Sequence, residues 1–162
     1  MTEPVRYIDA ITTRYERLGY APYRWYYADK TPPWQPLDKP LGESRVGMLS
    51  TSGAYVVGQR AYFYKDDSST RAIPKTTAVD QIHFSHITEN YLEDPRKDPD
   101  CILPLTALRA LEREGAIGEL ADEAYSCMGG IYSQRRVHEE LIPELHARFV
   151  AQAVDVVLLV PM

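Results

Sequence analysis

A serine–histidine pair and an arginine are the residues of this chain whose types and positions best fit a site for a small anion. Ser85 and His86 end the segment DQIHFSH at 80–86, whose alternation of apolar and polar residues is typical of a short strand. A histidine changes its charge near neutral pH, so it can hold or move a proton. Arg71, in TRAIP at 70–74, offers parallel N–H donors to a substrate carboxylate. The alternatives are a structural hydrogen bond for the histidine and a surface ion pair for the arginine.

A turn with the sequence STSG at 50–53 is a second candidate for binding an anion. Ser52 lies in this turn, where backbone N–H groups can surround a phosphate or a carboxylate, although a plain tight turn is the alternative. Neither GxGxxG nor GxxxxGK[ST] occurs, so the sequence does not predict a nucleotide site. His83 and His86 are three positions apart and face opposite sides of a strand, so we predict no shared metal ion.

Two cysteines, Cys101 and Cys127, are the thiols of the chain. They are far apart in the sequence and form no CxxC motif, so we expect small buried apolar side chains rather than a disulfide or a metal site. An alternative is a thiol enzyme in which Cys127 acts beside Gly129 and Gly130.

The elements that must position these residues alternate between strands and helices from Arg45 onward. Apolar spacing, prolines and glycines predict a helix at 5–18 and an extended arm rich in proline and aromatic residues at 20–40. The segment at 45–56 is predicted to be a strand that runs into the STSG turn, 70–74 and 80–86 to be short strands, and 123–133 to be a strand that leads to a Gly129-Gly130 loop. Helices are predicted at 104–120, with Gly115 as the C-terminal stop, and at 142–152. A charged segment at 87–100 is expected to be an exposed loop.

The last ten residues, AVDVVLLVPM at 153–162, predict one more strand. Its apolar residues are consecutive, which is typical of a strand covered on both faces at the centre of a parallel sheet. We therefore predict a three-layer α/β fold, Rossmann-like in outline, with a mostly parallel sheet. Residues 1–44 would form the helix and arm, and residues 45–162 the α/β domain.

Composition excludes several classes of partner. There are 18 Lys and Arg residues against 23 Asp and Glu residues, and the basic residues are scattered, which argues against nucleic acid as a partner. The first residues lack the features of a signal peptide, and no apolar stretch reaches the ~20 residues that span a bilayer. We expect a cytoplasmic protein without a membrane partner.

Several ordered segments also carry a family resemblance. They are RAIP at 71–74, the Ser-His pair, DPDCILPLTALRALEREGAIGEL at 98–120, AYSCMGG at 124–130 and IPELHARFVAQAVDVVLLVP at 142–161. In order and spacing they resemble the selenoprotein B component of glycine, sarcosine and betaine reductases, and the related selenoprotein subunit of D-proline reductase.

The resemblance implies reductive cleavage of a carbon–nitrogen bond in a small amino acid or amine, with a dithiol or another reductase subunit as electron source. In this family the reactive group is a selenocysteine, or a cysteine in its place, in a U-x-x-C loop after the strand that VDVVLLV resembles. A selenol is ionised at neutral pH and strongly nucleophilic, and the nearby cysteine can resolve its adduct.

That reactive loop is expected to begin at position 163. Selenocysteine is encoded by UGA, ordinarily a stop codon, so we hypothesise that the 162 residues are the N-terminal part of a longer selenoprotein and are inactive by themselves. The alternative is a non-catalytic domain that binds a small carboxylate or a protein partner. A strand edge left open would favour a homo-oligomer.

Overall fold

The computed structural model describes residue 4, residues 6–22 and residues 27–162. The chain divides into two compact units, Met1–Pro36 and Leu37–Met162. The first unit contains helix α1 (Tyr7–Arg17), which confirms the predicted helix, and Gly19 follows it with a positive φ of 83°. The apolar stripe of α1 is exposed. Within the described residues, no helix is both long and apolar enough to cross a membrane.

The second unit contains seven strands and four α-helices in the described residues, joined by short 3-10 turns. The strands are β1 (Arg45–Ser50), β2 (Ala54–Val56), β3 (Arg71–Pro74), β4 (Ile82–Phe84), β5 (Glu119–Leu120), β6 (Glu123–Ser126) and β7 (Val156–Val160). The helices are α2 (Glu93–Lys97), α3 (Leu105–Arg113), α4 (Gln134–Arg136) and α5 (Ile142–Ala151), with a π-helical turn at Val137–Leu141 between the last two. The 3-10 turns are Leu41–Glu43, Val79–Gln81, Glu89–Tyr91 and Pro99–Cys101.

The main sheet is built around β1. Strand β1 runs parallel to β5 and β6 on one side and to β7 on the other, and β3 is antiparallel to β6. Strands β2 and β4 form a separate antiparallel pair. The prediction of an α/β fold with a mostly parallel sheet is therefore confirmed.

The position of β7 differs from its prediction. In the described residues β7 pairs with β1 alone, so it is an edge strand rather than a central one. Leu158 and Leu159 are 40% and 65% exposed. The predicted central position is wrong for the described part of the chain, because a continuous apolar run does not show how many strands lie beside it. The predicted cover on both faces is also wrong there, because Leu158 and Leu159 are exposed.

Helices pack on both faces of the sheet because alternate residues of β1 point in opposite directions. Met48 lies in a core cluster with Leu105 and Leu108 of α3. On the other face, Leu145 and Phe149 of α5 lie in a cluster with residues of β1 and β6.

Gly47 is required on the α5 face of β1. A Cβ atom at Gly47 would lie 2.8 Å from Phe149 Cε1 and 3.0 Å from Val154 Cγ1, which leaves no room for a side chain. Because glycine has no side chain, α5 can approach β1 closely at this position.

The charged segment at 87–100 is more ordered than predicted. It forms two 3-10 turns and α2, and Leu92, Pro95 and Pro99 are buried. The expectation of an exposed loop is wrong for these three apolar residues, which pack inward while the charged side chains around them stay at the surface.

Candidate functional site

The carboxyl ends of β1, β6 and β7 lie side by side because these strands are parallel. They form one edge of the sheet, made of strand ends rather than of an outer strand. Ser50 stands opposite Ser126 of β6 and opposite Val160 of β7. The backbone contacts continue beyond the strands: the Thr51 N–H donates to Val160 O at 3.0 Å, and the Met162 N–H donates to Thr51 Oγ1 at 2.8 Å. This edge is where open α/β sheets bind ligands.

Gly53 brings the loop after β4 to the same edge. Its N–H donates to Cys127 O at 3.0 Å, and its carbonyl accepts from the Ser85 N–H at 3.0 Å. Gly53 has a positive φ of 66°, and a Cβ there would collide with the backbone of Ser85. Only glycine fits this position without strain. Because Gly53 holds the backbone of Ser85, the turn at 50–53 also sets the position of His86, the residue after Ser85.

His86 is 5% exposed, and both of its ring nitrogens lie within hydrogen-bonding distance of neighbouring loops. The Gly129 N–H points at Nε2 across 3.1 Å. At the other nitrogen, Nδ1, the Thr88 N–H lies at 3.0 Å and Thr88 Oγ1 at 2.6 Å. Burial lowers the pKa of His86 below its ordinary value, opposed by a hydrogen bond to the Thr51 carbonyl and by the nearby Glu89 carboxylate.

Gly129 marks the point at which these segments converge. A methyl group placed on its Cα would lie 2.9 Å from His86 Nε2, 2.9 Å from Thr51 O and 3.1 Å from Met162 O. The ends of β1, β6 and β7 and the buried imidazole therefore all touch one small volume, which we take as the candidate functional site.

The serines predicted to bind a ligand take part in hydrogen bonds within the protein. Ser52 is fully buried, and its hydroxyl lies 2.8 Å from that of Ser50, which also donates to Ile102 O at 2.7 Å. The Ser85 hydroxyl donates to Tyr62 O at 3.0 Å. The structure brings Ser52 and Ser85 near the site edge, and a role for them in binding substrate stays a prediction.

Arg71 is held by its own surroundings. Its Nε donates to Arg60 O at 2.7 Å, its Nη1 donates to Ser69 Oγ at 2.8 Å, and the guanidinium lies 4.2 Å from the centroid of the Tyr62 ring. These contacts fasten the segment at 60–70 to β3. The predicted contact of Arg71 with a substrate carboxylate stays a prediction.

The two thiols differ in environment. Cys127 directly follows β6 and is 3% exposed, and burial raises the pKa of its thiol to about 11, so it is protonated at neutral pH. Cys101 is exposed, so the expectation of a buried side chain is confirmed for Cys127 and wrong for Cys101. The limited burial of Cys101 and the charges of Asp98 and Asp94 raise the pKa of its thiol. Neither environment stabilises a thiolate.

Sequence reasoning named Gly129 only beside Cys127 and Thr51 only within the STSG turn; it did not connect them, or Thr88, with His86. The available signal was the Gly129-Gly130 pair directly after a predicted strand, because glycine at such a place permits close approach of another backbone. Across residues 4, 6–22 and 27–162, no group of three His, Cys, Asp or Glu side chains is arranged to hold a metal ion.

Comparison with known proteins identifies a matching family and several relatives. The family model described as glycine/sarcosine/betaine reductase selenoprotein B matches residues 73–161. The D-proline reductase subunit gamma of Acetoanaerobium sticklandii is 32% identical over 135 residues, which cover 82% of this chain and 55% of that protein.

Two further relatives have lower coverage of their own length. The sarcosine reductase complex component B subunit beta of Peptoclostridium acidaminophilum is 34% identical over 62% of this chain and 24% of its own length. The glycine reductase complex component B subunit gamma of Symbiobacterium thermophilum is 27% identical over 74% of this chain and 30% of its own length. The chain thus spans about half, or less, of the curated relatives it matches. No solved structure matches the chain significantly.

Proposed function

Because the chain belongs to the glycine/sarcosine/betaine reductase selenoprotein B family, we propose that it is part of a reductase that cleaves a carbon–nitrogen bond in a small amino acid or amine. Three relatives named as components of D-proline, sarcosine and glycine reductases support this reaction class. The electron source would be a dithiol or another subunit of the reductase.

The observation that carries the proposal is the convergence of the ends of β1, β6 and β7 beside His86. The family resemblance predicts a U-x-x-C loop after the strand that β7 matches. A selenolate in that loop would supply the nucleophile. The arrangement fits such a group, because β7 ends at the edge of the sheet where ligands bind in open α/β folds and where a buried imidazole is present.

The chain's own residues would position the end of β7. Thr51 receives the Met162 N–H on its hydroxyl and donates its own N–H to Val160, so β1 sets the direction in which β7 ends. Gly129 leaves room for the backbone oxygens of Thr51 and Met162 beside it. These contacts fix where β7 ends, and so where a reactive residue that follows it would meet a small substrate.

The position of the reactive residue is tested by reading the nucleotides after the Met162 codon. An in-frame UGA followed by two codons and a cysteine codon is expected. A UAA or UAG codon directly after Met162 would contradict the proposed position.

The activity is tested with the protein translated through that frame with selenocysteine. With a dithiol and the other subunits of such a reductase, we expect release of the reduced product from D-proline, sarcosine, betaine or glycine. Replacing selenocysteine by serine should abolish turnover, whereas the control Cys101→Ser should retain it. Saturable binding of one of these compounds without turnover by the selenocysteine protein would instead favour the alternative, a non-catalytic carboxylate-binding domain.

A further inference from the structure

More backbone N–H groups point at the His86 ring than the ring can accept hydrogen bonds from. One backbone N–H, that of Gly129, points at Nε2, and another, that of Thr88, points at Nδ1. A neutral imidazole has one lone pair available for a hydrogen bond, on whichever nitrogen carries no proton, and an imidazolium has none. The ring can therefore accept from one of these two N–H groups when neutral and from neither when protonated.

Each neutral tautomer has a complete set of partners on the nitrogen that carries the proton. When Nε2 is the acceptor for Gly129, the Nδ1 proton can be donated to Thr88 Oγ1 at 2.6 Å. When Nδ1 is the acceptor for Thr88, the Nε2 proton can be donated to the Thr51 carbonyl. Protonation keeps both donations but places an N–H against the Gly129 N–H and another against the Thr88 N–H.

Two carboxylates favour the imidazolium. The Glu89 carboxylate is exposed and paired with Arg96, so its effect is small. The groups facing the ring from the ends of β1 and β6 are the backbone atoms of Thr51 and Gly129, and a Met162 oxygen lies beside them at the end of β7. In the 162-residue chain this oxygen belongs to the terminal carboxylate, so the titration below uses the chain with an amidated C-terminus. Burial of the ring adds to the preference for the neutral form.

We propose that His86 is a pH-sensitive positioning residue, which holds the loop after β6 against the ends of β1 and β7 when neutral and releases the Gly129 N–H when protonated. This inference concerns the regulation of the site to which we assign the reductase function. It rests on that assignment only for its biological meaning, because the hydrogen bonds involved lie entirely within the 162 residues.

The sign of the pH dependence follows from linkage. A histidine whose pKa is lowered by folding binds fewer protons in the folded than in the unfolded protein. The contribution of His86 to the free energy of unfolding is therefore fully present above the ordinary histidine pKa of about 6.5 and decreases as the pH falls below that value. For one proton, the folding equilibrium constant changes by at most about tenfold per pH unit.

The experiment is a pH titration of the 162-residue chain by nuclear magnetic resonance. Imidazole nitrogen shifts report the protonation of His86, and the amide signal of Gly129 reports its hydrogen bond. We expect His86 to titrate below the ordinary histidine pKa and the Gly129 amide to shift with the same midpoint. His83, which is exposed on β4, serves as the reference for assigning the imidazole signals.

Two variants separate positioning from a merely structural role. His86→Gln retains an acceptor but cannot gain a proton, so we expect its folding equilibrium, measured in urea, to depend less on pH between pH 7.5 and 5 than that of the wild type. The matched control His83→Gln should retain the pH dependence of the wild type.

An ordinary pKa for His86, or a Gly129 amide that does not follow its titration, would overturn the proposal. So would a pH dependence of stability that is the same in His86→Gln and in the wild type. None of these readouts uses reductase activity, so failure of the proposed reaction would leave them unchanged.

Discussion

Replacing Gly129 by alanine tests whether the ends of three strands and His86 share one small volume. The added methyl would lie 2.9 Å from His86 Nε2, 2.9 Å from Thr51 O and 3.1 Å from Met162 O. Two of these atoms are main-chain oxygens, so the methyl cannot be accommodated by turning a side chain alone. Gly129 must instead move away from the site.

The expected cost is worked from these contacts. Overpacking of a tightly packed site costs about 1–3 kcal/mol, and loss of the Gly129 N–H bond to Nε2 costs about 1 kcal/mol. A glycine-to-alanine change restricts the unfolded chain and returns about 0.4–1 kcal/mol. We therefore expect a net loss of about 2 kcal/mol in the free energy of unfolding.

The assay is urea unfolding at pH 7.5, with Gly42→Ala as the matched control. A methyl at Gly42 would lie 3.2 Å from one atom, the carbonyl oxygen of Gly115, so this change should cost less. A loss below about 0.5 kcal/mol for Gly129→Ala, the range of surface substitutions, or a larger loss for Gly42→Ala, would refute the reasoning.

Two further predictions concern buried groups next to the site. The Tyr62 hydroxyl donates to Ser126 O at 2.6 Å in a buried position, so Tyr62→Phe should lower the free energy of unfolding by about 1–3 kcal/mol. The exposed control Tyr64→Phe should change it by no more than about 0.5 kcal/mol. Equal effects of the two substitutions in urea unfolding would contradict this prediction. Burial raises the pKa of the Cys127 thiol to about 11, so this thiol should react slowly in the folded protein. In the variant Cys101→Ser, which lacks the exposed thiol, a disulfide reagent at pH 8 should label the protein only after unfolding. Rapid labelling of the folded variant would show that Cys127 is accessible.

Local patterns in the sequence predicted most of the elements. The helices α3 and α5 begin near the prolines expected at their starts, and β3 and β4 lie within the predicted strands. These predictions succeeded because helical and strand periodicity depend on neighbours a few residues apart. The stop predicted at Gly115 is confirmed, because α3 ends at Arg113 and Gly115 follows its C-cap with a positive φ.

The predicted strand at 45–56 is two strands in the structure. β1 ends at Ser50 and β2 begins at Ala54, and the two belong to different sheets. The STSG turn between them was recognised in the sequence, but its effect on the path of the chain was not. That effect depends on Gly53, which bonds to residues more than thirty positions away along the chain.

The candidate site was only partly accessible to sequence reasoning. His86 was identified because histidine at the end of a strand can do chemistry. Its partner Gly129 lies 43 positions further along the chain and contributes a backbone N–H, which no residue type reveals. For Arg71, the residue type suggested a contact with a substrate, whereas the hydrogen bonds that its guanidinium makes to a carbonyl and a hydroxyl nearby are visible only in the structure.

The sequence by itself determined the alternation of helices and strands, the parallel character of the sheet and the family. Tertiary structure alone decided that β7 lies at the edge of the described sheet and that His86 bridges the loops after β4 and β6. The physical reason is the range of the interactions: periodicity is set by residues within one or two turns. The position of a strand and the partners of a buried imidazole are set by backbone hydrogen bonds between distant segments, which form only when the chain closes.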